Sequence, residues 1–196
     1  MGQYYRIFMC EEDGSNPRVH SPHDHDNNGA KLMEHSYYYN RFVEAACSQL
    51  FKTYRHNKPL RVWWVGDYAN VDDIPDDKKK FKPVETAWQD ENDTCLKVFN
   101  EEFNFDAQLY LINLTTHEYI DLKKVYSLNN GNIHPLPLLT AVGNGRGGGD
   151  YHGNGVTNLN MVGIWAGDLL QIVEQVPKDD FLDYIDISEG AHFAER

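Results

Sequence analysis

Between Gly143 and Gly155 the chain reads GNGRGGGDYHGNG, thirteen residues of which seven are glycine. The other side chains are Asn, Arg, Asp, Tyr and His, so the stretch has nothing to put into a core and reads as a loop. Backbone N–H groups of Gly145, Gly147, Gly148 and Gly149 can approach an anion closely, and Arg146 can grip a phosphate or carboxylate with two parallel hydrogen bonds. Asp150, Tyr151 and His152 add an orienting carboxylate, a ring to stack on and a titratable base. A flexible connection or a structural glycine turn is the plainer reading of the same residues, but neither calls for Arg, Asp, Tyr and His together.

Two nominal motifs fail on context. Gly143, Gly145 and Gly148 satisfy G-x-G-x-x-G, and Leu138 to Val142 could form the short strand that should precede it. The helix that must follow is missing, because Asp150 to Asn160 carries two more glycines and three asparagines without an apolar stripe. No Lys-Ser or Lys-Thr pair follows the glycines, so there is no Walker A loop either. What remains is an irregular anion nest. The sequence calls for no cofactor and no metal.

Other residues of the right type lie elsewhere. Glu34, His35 and Ser36 stand shortly before an amphipathic segment, where helix donors and dipole favour an anion, although a helix start is as readily capped by its own side chains. Asp67 ends the apolar run LRVWWVG, a place where the scaffold holds a polar side chain rigidly, with Tyr68 beside it; a turn-capping role for Asp67 is the alternative. In an enzyme, His152 or His35 would act as general base, Asp67 or Asp150 would orient it, and Arg146 with the loop amides would stabilise developing charge. In a binding protein, Glu34, Ser36, Tyr68, Arg146, Tyr151 and the loop glycines would hold a nucleotide-like ligand instead. No nucleophile elbow or paired-carboxylate spacing singles out the enzyme. His20 to Asp26 (HSPHDHD) offers three histidines and two aspartates, yet its Pro and the following Asn-Asn-Gly read as a solvated loop rather than a metal site.

The elements that must position these residues follow from periodicity. Tyr4 to Met9, Leu60 to Val65, Leu109 to Leu114 and Glu118 to Leu122 read as strands, the last two joined as a hairpin through Thr115 to His117. Met161 to Trp165, Leu169 to Val176 and Phe181 to Ile187 read as three more. Phe42, Val43, Ala46, Cys47, Leu50, Phe51 and Tyr54 recur at helical spacing behind Asn40 as N-cap. Successive side chains of Leu60 to Val65 alternate, which sends Trp64 to the core and Trp63 to the opposite face. Two prolines make Ile133 to Thr140 an extended or edge segment. The stretch from Asn70 to Asn104 reads as an exposed excursion with a short helix near Cys95 to Asn100. The expected architecture is α+β: one domain over residues 1–196, a mostly antiparallel sheet, one main helix, and polar insertions near 20–28 and 72–105.

With 196 residues, 41% of them hydrophobic, the chain can bury a substantial core. Eighteen Lys and Arg against 30 Asp and Glu give a formal charge of -12, which disfavours nucleic acid and anionic lipid over the surface as a whole, so any anion must be captured locally. The same charge admits an acidic protein that imitates nucleic acid toward a basic partner. Cys10, Cys47 and Cys95 are unpaired in spacing, and no leader or membrane segment is evident, so a soluble cytoplasmic protein is expected. Self-association is left open.

MGQYY at Met1, KLMEHS at Lys31, VWWVGDYA around Trp64, LYLINLT at Leu109, IHPLPLLTAVGNGRGGGDYHG from Ile133 and VGIWAGD from Val162 resemble a family of small bacterial and bacteriophage proteins without an assigned activity. The resemblance transfers no catalytic residues. It implies a bacterial or infected-cell setting, in which small proteins that sequester or destroy nucleotide defence signals occur.

Overall fold

The computed structural model describes residues 3–25, 30–55, 58–89, 103–128, 133–143, 159–178 and 184–190. Its centre is an eight-stranded sheet in the order β2-β1-β3-β7-β4-β5-β8, with β6 also on β3. β1 is Tyr5–Cys10, β2 Arg18–His20 and β3 Leu60–Gly66; β4 is Tyr110–Asn113, β5 Glu118–Asp121, β6 Ala141–Val142, β7 Leu169–Val173 and β8 Ile185–Asp186. All pairs are antiparallel except β3 with β6 and β5 with β8. The α+β expectation holds.

One edge of β3 is shared. Leu60 and Arg61 pair with β7, whereas Trp64 and Val65 pair with β6. Between the two partners, Gly167 N–H bonds to Val62 O, and Gly163 and Trp165 N–H bond to Leu138 O and Leu139 O. Met161 to Trp165 is therefore a 3-10 turn and a run of turns rather than a strand, its backbone donors satisfied one at a time by neighbours.

Helix α1 is Leu32–His35, α2 Arg41–Arg55, α3 Pro83–Ala87, α4 Leu122–Leu128 and α5 Pro135–Thr140. Asn40 caps α2 as expected, its Oδ1 accepting from Phe42 N at 2.9 Å. The segment that two prolines marked as extended is α5. Pro135 and Pro137 occupy its first turn, where no N–H needs a helical partner, and His134 caps it by accepting from Leu136 N at 3.1 Å.

Alternation along β1 and β3 builds two cores. Tyr5, Ile7, Met9, Val62 and Trp64 face α2, while Phe8, Cys10, Trp63 and Val65 face the other side. Both tryptophans are fully buried, on opposite faces. The excursion after β3 is less exposed than its composition suggests: Ile74, Phe81 and Ala87 cover the Trp63 face, and Phe103 and Phe105 enter the main core. Apolar residues spaced too widely for a periodic signal did this, each covering a bare patch of sheet. His20 and His25 also depart from the solvated-loop reading. Both rings are buried, His20 Nδ1 lies 3.3 Å from His25 Nε2, and His25 packs on Phe42.

A candidate ligand cleft at the free end of strand β1

β2 pairs with β1 only as far as Ile7, so the first residues of β1 lack a neighbour on that edge. The chain beyond β2 turns away through Ser21, Pro22 and His23, and a second segment returns to meet the edge: Tyr5 N–H bonds to Ala30 O at 2.9 Å, and Tyr4 bridges to Lys31. Between these segments and Trp88 opens a cleft of about 470 Å³, lined by Tyr4, Tyr5 and Trp88 rings, by Arg6, Lys31 and His23, and by Glu34. In a chain of charge -12, this is a local concentration of cationic and aromatic groups.

Arg6 lies 4.6 Å over the Trp88 ring and donates from Nη1 to Ala87 O at 3.1 Å. Among the described residues its other guanidinium nitrogens make no hydrogen bond. Stacking fixes the plane of the guanidinium and leaves its remaining donors for a ligand. Lys31 is held loosely, its ammonium 3.7 Å from Glu34 and about half exposed.

Asp67 borders the cleft through Tyr4. Its Oδ1 accepts from Tyr4 N at 3.1 Å while its own N–H donates to Tyr4 O at 2.9 Å, so it ties β1 to the end of β3 rather than capping its own turn. Tyr68 follows it, exposed. Of the helix-start residues, Glu34 lines the cleft and accepts from Lys31 N at 3.0 Å, a self-capping role. Ser36 is buried and donates to Leu32 O. His35 is buried between Phe42 and Trp64, and its Nε2 accepts the Trp64 indole N–H at 2.8 Å. That lone pair is already committed, which suits a positional role for His35 and not proton abstraction. The three residues thus diverge, because α1 is a separate four-residue turn and not the start of α2.

Gly145, Arg146, Gly147, Gly148, Gly149, Asp150, Tyr151 and His152 lie outside the described residues. The root of their loop does not. Gly143 continues β6 beside Gly66 at the end of β3, and the Tyr5 ring and Gln3 amide lie across both glycines. A Cβ on Gly143 would stand 2.8 Å from Tyr5 Oη, and one on Gly66 3.2 Å from Tyr5 Cζ, so both positions must be bare for the ring to lie flat. Tyr5 therefore touches the root of the glycine loop and the wall of the cleft.

A second pairing with the look of chemistry is inert. Cys47 Sγ lies 3.6 Å from His134 Nε2, but His134 Nδ1 accepts the Leu136 N–H, so the neutral ring carries its proton on Nε2 and aims it at sulfur. Burial holds His134 down to about 3 and pushes the Cys47 thiol well above its usual range, the opposite of an activated thiolate. Among the described residues no three His, Cys, Asp or Glu side chains gather as metal ligands, and no helix is long and apolar enough to cross a membrane.

Sought among family models, curated proteins and solved structures, the chain finds no match. Its function must be read from the cleft itself. Arg6, Lys31 and Trp88 were not apparent as site residues in the sequence. Arg6 had one signal, as a lone cation inside an apolar strand; nothing in sequence joins it to Trp88, which lies far along the chain.

Proposed function

We propose that the protein binds a nucleotide-like anionic ligand in the cleft at the end of β1. The observation that carries this reading is Arg6, stacked on Trp88 with donors to spare and facing a cleft lined by aromatic rings. A flat base or sugar suits the Tyr4 and Trp88 surfaces, and a phosphate suits Arg6 and Lys31. In this reading the glycines that follow Gly143 offer further donors, and Arg146 is the residue type suited to bidentate contact with a phosphate. The resemblance to small bacterial and phage proteins adds a setting in which capturing a nucleotide signal would be useful.

Calorimetric titration against a panel of mono-, di- and cyclic nucleotides tests the proposal. Arg6→Ala should weaken binding about thirtyfold to a thousandfold, the effect of losing roughly 2 to 4 kcal/mol of charge-assisted hydrogen bonding in a partly desolvated site. Arg146→Lys should weaken it nearly as far as Arg146→Ala, because a lysine cannot reproduce the two-bond geometry. Unchanged affinity in Arg6→Ala would remove the ligand from this cleft. Mass spectrometry of the recovered ligand separates a binder, which returns it intact, from a hydrolase or transferase.

A further inference from the structure

Away from the cleft, where the 71–89 layer meets β4 and β7, three polar side chains meet in a buried cluster. Lys78 Nζ contacts Asp168 Oδ1 at 2.5 Å and also donates to Ala166 O at 2.8 Å. The other carboxylate oxygen of Asp168 accepts from Asn113 Nδ2 at 2.9 Å. Asn113 Oδ1 in turn accepts two backbone N–H groups, from Thr115 at 2.8 Å and Thr116 at 3.1 Å. Asn113 is fully buried, and the Lys78 and Asp168 side chains are only 13% and 4% exposed.

An ion pair and an Asx turn would each account for part of this. Their combination on one amide is what an intramolecular acyl transfer requires. The amine and the amide share a single carboxylate that can carry a proton between them, and the amide oxygen already sits in a two-donor pocket able to hold an oxyanion. Fixed neighbours in a water-poor site give such a reaction a high effective concentration.

We propose that Lys78 and Asn113 become joined by a self-formed isopeptide bond. Asp168 takes a proton from the Lys78 ammonium, and the Nζ lone pair attacks Asn113 Cγ. The carbonyl electrons move to Oδ1, held by the Thr115 and Thr116 N–H groups. Asp168 then delivers that proton to Nδ2 and takes up the second proton of Nζ, the Cγ–Nδ2 bond breaks as the Oδ1 carbonyl re-forms, and ammonia leaves, carrying the second proton away from Asp168 as ammonium. No oxidant or co-reactant is needed. The new amide keeps its oxygen on the same two donors. It would fasten the 71–89 layer covalently to β4.

The test is the intact mass of the full chain, denatured after prolonged incubation at neutral pH, followed by tandem mass spectrometry of a tryptic digest. The expected result is a mass lower by one ammonia, with a branched peptide linking residues 78 and 113 and no tryptic cut after Lys78. Lys78→Arg and Asp168→Ala should each keep the full sequence mass. Full mass in the native chain would overturn the proposal. So would ammonia loss confined to the Asn-Gly pairs at 28, 130, 144 and 154, which can form succinimides, or loss of water with a bond from Lys78 to Asp168.

Discussion

At the scale of single residues, Trp64 joins the core to the neighbourhood of the site. It is packed by Phe42 and holds His35 through its indole N–H. Trp64→Ala should cost on the order of 3 to 5 kcal/mol through the cavity it leaves. Trp64→Phe keeps most of the volume but strands a buried His35 acceptor, which should cost about 1 to 3 kcal/mol. Urea denaturation of both variants checks the order: equal losses would mean that the lost ring volume contributes nothing, and a Trp64→Phe variant as stable as the native chain would mean that the hydrogen bond contributes nothing. Gly143→Ala makes a different prediction. Its methyl group would displace Tyr5 and Gln3, costing roughly 1 to 3 kcal/mol by overpacking, and it should disturb ligand binding because Tyr5 also walls the cleft. A variant with normal stability and normal affinity would show that the ring can move freely.

At the scale of elements, the 18–25 segment carries more of the fold than its polar composition suggests. His25→Ala should remove a ring packed on Phe42 and lower the unfolding midpoint by an amount equivalent to about 1 to 2 kcal/mol, measured by thermal melting. An unchanged midpoint would return the segment to the status of a surface loop. This misreading shows where sequence stops being informative. β1, α2, β3 and the β4–β5 hairpin were legible because alternation or helical spacing carries the signal within one element. α5 was hidden by prolines whose effect depends on which turn they occupy. His20, His25, Phe81 and Phe103 are buried by partners distant in sequence, which no local period records. The same reason separates the residues of the cleft: Glu34 stands in a segment that the sequence itself marks out, whereas Arg6 and Trp88 meet only in the folded chain.

At the scale of the whole molecule, two buried histidines make stability depend on pH. Burial holds His20 down to about 4, with His25 adding to the effect, and His134 down to about 3. The unfolded chain therefore binds more protons than the native state below the ordinary histidine value of 6.5. Their contribution is complete above that pH and is lost as pH falls from there toward the folded values, at a slope of about 1.4 kcal/mol per pH unit for each ring. Urea midpoints measured at pH 7 and pH 5 should differ accordingly, with the lower pH weaker, and His20→Gln should flatten the difference. Identical midpoints would place both rings in contact with solvent.

The four tryptophans also make the protein its own spectrometer. Trp64 and Trp165 donate their indole N–H groups to His35 and Glu118, whereas the buried N–H groups of Trp63 and Trp88 have no acceptor among the described residues. Hydrogen bonding shifts an indole proton downfield, so an amide correlation spectrum of the native chain should divide its four indole signals into two pairs. Trp63 and Trp64 report on opposite faces of one strand, Trp165 on the turn that fills the fork in the sheet, and Trp88 on Arg6. An added ligand that moves the Trp88 resonance and leaves Trp63 in place would announce where it binds before any crystal is grown.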